Sequence, residues 1–274
     1  VLWHVWCLLP LGTGGKSAVV AVCVLAFSTL FLNFSHAIDR FPMWLARMCY
    51  EVGNTSVFVL LYLVILFLLM DLGRLLHIVP KAVLYANWYT VAAVTVLMVA
   101  VFAAGYANYM HKARHSVALP TGKTAARGVK LVMMSDLHLG YHNNRKELAR
   151  WVDKVNAERP DIVLLAGDVI DGSLRPLREE DMAAELRRID APVYACLGNH
   201  EYYAGIDGSL DFYREAGITL LRDSSATVGG IPIVGRADRS NRRRKSLGAP
   251  MRGVDPSRSA ILLALHPYPF DHAA

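Results

Sequence analysis

Three long apolar runs dominate the chain before residue 110, at about 18–34, 57–78 and 88–106. Each is close to the ~20 residues that a helix needs to cross the hydrocarbon core of a bilayer. Their repetition favours membrane spans over a cleavable signal peptide, for which one apolar segment suffices, and over three buried helices of a soluble core. In the middle run the unbroken apolar stretch ends at Met70, and Asp71, Arg74 and His77 follow near one end. That spacing predicts an Asp71–Arg74 pair at i, i+3, held at the membrane interface. The opening segment, Val1 to Leu11, is apolar and Trp-bearing, as an interfacial lead-in to a helix would be. It starts with Val rather than Met, so a natural N-terminus further upstream is expected.

Beyond a linker around Leu119 to Gly128 the pattern becomes short apolar runs alternating with amphipathic segments, the mark of βαβ units. Val129 to Met134 reads as a strand. Arg145 to Glu158 places Leu148, Trp151, Val152 and Val155 on one helical stripe, and Pro160 stops it. Further strands are predicted at Ile162 to Ala166, Val193 to Leu197, Ile231 to Gly235 and Ala260 to Leu265, with helices at Met182 to Ile189 and Leu210 to Ala216. The chain thus divides into a membrane helical region (1–110), a basic linker (111–127) and an α/β domain (128–274).

Composition agrees with this division. The chain is 54% hydrophobic with mean hydropathy +0.31, above the roughly 45–50% apolar content of ordinary soluble domains. The excess lies before residue 110. Net charge is +6 and the pI about 9.2. Lys112, Arg114, Lys123, Arg127 and Lys130 follow the last run, and basic flanks stay in the cytoplasm, so the α/β domain is expected there. Arg40 and Arg47 then share its side, with Lys16, Arg74 and Lys81 opposite. Cys7, Cys23, Cys49 and Cys196 form no closely spaced framework and read as packing residues rather than disulfides.

The polar residues of interest sit where predicted strands end, the place where α/β sheets collect functional groups. The first strand runs into Ser135-Asp136-Leu137-His138-Leu139-Gly140, the second into Gly167-Asp168-Val169-Ile170-Asp171, and the third into Gly198-Asn199-His200-Glu201. Aspartate, histidine and asparagine supply the hard oxygen and borderline nitrogen ligands that bind Mn²⁺, Fe or Zn²⁺ in hydrolases. A carboxylate between two ligand groups can bridge two cations, which activate water and neutralise a phosphoryl group. Singly each block reads as an ordinary turn or capped loop. Three in order, each directly after an apolar strand and about thirty residues from the next, point to one metal site.

The blocks SDLHLG, GDVID and GNHEYY resemble the first three sequence blocks of the calcineurin-like metallophosphoesterase superfamily, and the preceding spans resemble its membrane-anchored bacterial branch. The resemblance implies an α/β/β/α sandwich holding two divalent metal ions, with Asp136 and His138 on one, Asp168 bridging and Asn199 on the second. His200 would stabilise or protonate the leaving oxygen of the substrate. The implied reaction is hydrolysis of a phosphate mono- or diester by attack of a metal-bound hydroxide. The implied partners are the membrane and a phosphate ester, and the implied location is the bacterial inner membrane; location alone favours an ester that is lipid-linked or envelope-derived.

Two departures from the family pattern bear on that expectation. A later strand is normally followed by His-x-Pro, whose histidine binds the second metal. Here Leu265 falls at that position before Pro267, and His266 comes one residue late, so His266 joins the ligand set only if the loop shifts. A final Gly-His-x-His block does not occur before Ala274, which predicts a partial domain that binds metal weakly and hydrolyses little or nothing. A catalytically impaired membrane sensor or scaffold is therefore the alternative reading. Pro10 to Ser17 imitates a phosphate-binding loop but lacks the preceding strand and reads as a juxtamembrane turn. Arg242-Arg243-Arg244-Lys245 has no interleaved aromatic residues, so nucleic acid is not expected. A solvated loop is its default reading, and attraction of an anionic substrate or lipid headgroup its functional one.

Overall fold

The computed structural model describes residues 1–119, 128–255 and 257–266, and divides into two compact units, Val1–Ala118 and Leu119–Ala274. The predicted linker lies outside the described residues from position 120 onward.

The first unit contains α1 (Leu2–Leu8), α2 (Thr13–Phe34), α3 (Met43–Leu75) and α4 (Trp88–Met110). The last three are long and apolar enough to cross a membrane. The middle helix is shifted from the predicted 57–78: it starts at Met43 and ends at Leu75, because the amphipathic stretch before the apolar run is helical too and the backbone turns left-handed at His77. α2 and α3 approach closely at Gly53, where a Cβ would fall 2.7 Å from the Leu30 backbone nitrogen. Small residues permit such backbone contact between apolar helices. Asn87 caps α4 by accepting hydrogen bonds from the Tyr89 and Thr90 amides.

The expected Asp71–Arg74 pair is replaced by another. The lead-in is itself the short helix α1, tied to the segment before α4 by bonds from the Ala86 and Asn87 amides to the Cys7 and Leu8 carbonyls. This places the His4 ring on Phe67, with centroids 4.8 Å apart, and His4 Nε2 2.8 Å from Asp71 Oδ2. Phe67 and Asp71 lie at i, i+4 on one face of α3, so a single imidazole reaches both.

The second unit is layered. In chain order its elements are β1 (Leu131–Met134), α5 (Arg145–Ala157), β2 (Ile162–Ala166), α6 (Arg175–Glu179), α7 (Met182–Leu186), β3 (Val193–Cys196), α8 (His200–Tyr203), α9 (Ile206–Glu215), β4 (Thr219–Leu220), β5 (Ser224–Val228), β6 (Ile231–Gly235) and β7 (Ile261–Leu263). A parallel four-stranded sheet has the order β1-β2-β3-β4, and a three-stranded sheet the order β5-β6-β7. All five residues of β2 are buried, because alternate side chains serve two different cores. Val163 and Leu165 pack with Leu148, Val152, Leu186 and Phe212 from the helices. Ile162, Leu164 and Ala166 pack with Ile233 and Leu263 from the second sheet. Helices, parallel sheet and second sheet make three layers of the expected sandwich among the described residues.

Candidate metal centre

The carboxyl ends of β1, β2 and β3 lie side by side because the strands pair in parallel, Met134 opposite Leu165 and Ala166 opposite Cys196. The first two loops continue that pairing past the strands. The amides of Asp136, His138 and Leu139 donate to the carbonyls of Gly167, Asp168 and Val169, and the Asp171 amide returns a bond to Leu139. Parallel pairing thus brings blocks thirty residues apart in sequence into contact.

Within these loops Asp136, His138 and Asp168 all adopt left-handed backbone conformations, with φ of 54°, 43° and 50°. Left-handed non-glycine residues cost free energy and cluster at functional sites, where surrounding contacts over-determine them. His138 Nε2 stands 4.0 Å from Asp136 Oδ1 and 4.0 Å from Asp168 Oδ2. These separations are beyond hydrogen-bond reach. Two ligands at about 2.0–2.2 Å from one cation lie at most about 4.4 Å apart, so each gap is within the reach of a divalent metal placed between the two groups. Ligand atoms of His138, Asp168 and His200 lie within 4.8 Å of one another. The third loop comes this close because Gly198 has no side chain: a Cβ there would fall 2.1 Å from Asp168 Oδ1.

Asn199 caps α8 without a side-chain cap bond, while its carbonyl accepts from the Tyr202 and Tyr203 amides. The His200 amide donates to Asp168 Oδ1 at 3.0 Å, and the His138 and His200 rings meet edge to face at 4.4 Å. The exposed Tyr203 ring lies 5.3 Å from His200. Tyr202 instead packs against the helical core. His266 stands 3.4 Å from Asp238 Oδ2 through Nδ1 and is not in the His138–Asp168–His200 group. Leu265 packs on the floor of the centre: a Cβ on Gly167 would meet Leu265 Cβ at 3.0 Å, and one on Gly198 would meet Leu265 Cδ2 at 2.6 Å.

Two further acidic residues organise the centre, and neither has a sequence signal beyond its place in a strand-end block. Asp171 Oδ1 lies 3.4 Å from His138 Nδ1 and 3.5 Å from His200 Nδ1, so one carboxylate faces both imidazoles. Asp171 raises the His200 pKa above the usual imidazole value, against the opposing effect of burial. Glu201 is fully buried. Its Oε2 accepts from the amides of Gly198 (2.7 Å) and Asp168 (3.3 Å). Its Oε1 accepts from the amides of Val169 (2.8 Å) and Ile170 (3.1 Å) and from the Tyr213 hydroxyl (3.1 Å). Burial raises the Glu201 pKa, with the surrounding donors working in the opposite direction.

Residues 129–248 match the family of calcineurin-like phosphoesterases. The chain is 32% identical over 149 residues to an uncharacterized metallophosphoesterase of Aquifex aeolicus, covering 51% of this chain and 56% of that protein. It is 28% identical over 220 residues to a transmembrane protein with metallophosphoesterase domain of Danio rerio, covering 76% of this chain and 50% of that protein. An uncharacterized metallophosphoesterase of Campylobacter jejuni is 30% identical over 148 residues, covering 52% and 39%. The chain spans about half the length of these relatives, or less. The strand-end blocks on the parallel sheet fall within residues 129–248, and the family match together with these relatives supports the calcineurin-like metallophosphoesterase superfamily for that part of the chain.

Proposed function

We propose that the protein is a membrane-anchored phosphoesterase that hydrolyses a phosphate mono- or diester at the centre formed by Asp136, His138, Asp168, Asn199 and His200. The observation that carries this reading is the pair of 4.0 Å gaps from His138 to Asp136 and Asp168, in a group that Asp171 and Glu201 hold in place. Asp136 and His138 would hold one divalent cation and Asn199 a second, with Asp168 between them; Mn, Fe or Zn suits this donor set. Such ions, when bound, supply charge for the phosphoryl oxygens and lower the pKa of water.

The chain's own residues do the rest. Asp171 faces Nδ1 of His200, which leaves Nε2 as the atom that gives a proton to the leaving oxygen. Asp171 raises the His200 pKa above the usual imidazole value, which favours the proton-bearing form. The apolar helices would keep the domain at a membrane, cytoplasmic by the charge of its basic flank, where a lipid-linked or envelope-derived ester is the natural substrate.

Leu265 favours a second reading, a sensor or scaffold with impaired turnover, because an alkyl side chain covers Gly167 and Gly198 where a ligand is expected. Titration of Mn²⁺ into the full chain in detergent, with turnover of p-nitrophenyl phosphate and bis-p-nitrophenyl phosphate, separates the two. Metal-dependent hydrolysis of either ester supports the enzyme. Saturable Mn²⁺ binding with no hydrolysis of either supports the sensor.

A further inference from the structure

A second concentration of charge adjoins the metal centre. From Arg236 to Lys245 the chain carries six cationic residues, Arg236, Arg239, Arg242, Arg243, Arg244 and Lys245, against one carboxylate, Asp238. This loop is fastened at both ends. Buried Asp223 accepts from the Ala237 amide (3.1 Å) and the Lys245 amide (2.9 Å), and Arg236 Nη2 donates to the Lys245 carbonyl (3.2 Å). Inside the loop Asp238 Oδ1 accepts from the Ser240 amide, and the Asn241 and Arg244 amides donate to the carbonyls of Asp238 and Asn241. Such bonding holds Arg236 and Arg244 near each other in one arrangement.

Arg236 has one carboxylate beside it, and Arg244 has no ion-pair partner among the described residues. Asp223 lies beside Arg236, at 3.5 Å from Nε, and its oxygens already serve two backbone amides. Burial and the nearby Arg244 charge both lower the Arg236 pKa, and Asp223 offsets them only in part. Arg244 Nε is buried and has no hydrogen-bond acceptor among the described residues. A buried guanidinium donor without an acceptor is unfavourable, and an oxyanion supplies both the acceptor and the missing charge.

The loop also shares a wall with the metal centre. Asp238 pairs with His266, and the preceding Leu265 lies against Gly167 and Gly198. We propose that Arg236 and Arg244, flanked by the exposed Arg242 and Arg243, form an oxyanion subsite that takes a second phosphate group of the substrate. This rests on the phosphoesterase reading and narrows its substrate class to esters carrying a further phosphate, whether on a lipid headgroup or on a soluble molecule.

The test uses the full chain in detergent and two readouts. In the first, inorganic phosphate is titrated into protein kept metal-free with chelator, so that the metal centre does not contribute. Arg244→Gln should weaken binding by about tenfold or more, the scale of one lost charged hydrogen bond. That substitution leaves the Asp223, Arg236 and Lys245 contacts intact, and slow labelling of buried Cys196 confirms the fold. In the second, with Mn²⁺, KM for a bisphosphate ester should rise in Arg244→Gln while KM for p-nitrophenyl phosphate stays unchanged. Competition by short-chain phosphatidic acid and by glycerol phosphate distinguishes a lipid headgroup from a soluble ester.

Unchanged phosphate binding in Arg244→Gln overturns the subsite even if hydrolysis proceeds. Phosphate binding lost in the variant, with no turnover of any ester by the parent, keeps the subsite and removes the phosphoesterase reading. Loss of affinity for phosphatidic acid vesicles on Arg242→Gln/Arg243→Gln, with phosphate binding unchanged in Arg244→Gln, would make the loop a membrane contact and overturn the proposal.

Discussion

Substitution of Glu201 by glutamine tests whether one buried carboxylate holds two loops of the metal centre together. The carboxylate accepts from five donors, two on Oε2 and three on Oε1. A glutamine of the same shape replaces one oxygen with an NH₂ group, so in either orientation at least two donors lose their acceptor and face another donor. Each buried orphan costs about 1–3 kcal/mol, giving about 2–6 kcal/mol, and relief of the buried negative charge reduces this to roughly 2–4 kcal/mol. Against a typical total of about 5–15 kcal/mol that is a large fraction, and at 2–4 °C per kcal/mol it lowers the unfolding midpoint by roughly 5–15 °C.

Cys196 provides the assay. It is the single cysteine of the second unit, fully buried, and burial pushes its thiol pKa up to about 12. With Cys7, Cys23 and Cys49 changed to serine, thiol labelling during a temperature ramp reports opening of this unit alone. The less costly orientation puts the NH₂ in the Oε2 place and orphans only the Gly198 and Asp168 amides, so Mn²⁺ affinity of the folded variant should fall as well. A Glu201→Gln protein with the parent's labelling midpoint and Mn²⁺ affinity would refute the clamp.

Asp168→Asn should remove most bound metal and most metal-dependent turnover, measured by metal analysis and ester hydrolysis; parent-like values in both would contradict the bridging role. His200→Ala should cut turnover while leaving bound metal nearly unchanged, and loss of metal would make His200 a ligand, as its place within 4.8 Å of His138 and Asp168 also permits. For topology, a cysteine replacing exposed Arg178 should resist a membrane-impermeant thiol reagent in intact cells and react after permeabilisation. Rapid labelling in intact cells would place the domain on the other side of the membrane.

Much of this architecture was legible in the sequence because it depends on local pattern. The apolar runs marked the three long helices, and β2 and β6 have the predicted bounds, since continuous apolar residues between polar turns leave few alternatives. Asp136, His138, Asp168, Asn199 and His200 could be singled out because parallel strands deliver their carboxyl ends to one rim.

The tertiary structure decided what depends on which loops abut. The sequence equally allowed Asp71 to pair with its helical neighbour Arg74, yet α1 folds back and presents His4. Asp171 and Glu201 are two acidic residues among 23, and only the packed loops show one facing both imidazoles and the other fully buried among five donors. Leu265 and His266 likewise acquire meaning from the apposition of β7 with β6 and the floor of the centre, which sets the leucine on two glycines and the histidine on Asp238. Periodicity records whether a position is buried, whereas the partner of a buried charge depends on contacts between segments far apart in the chain.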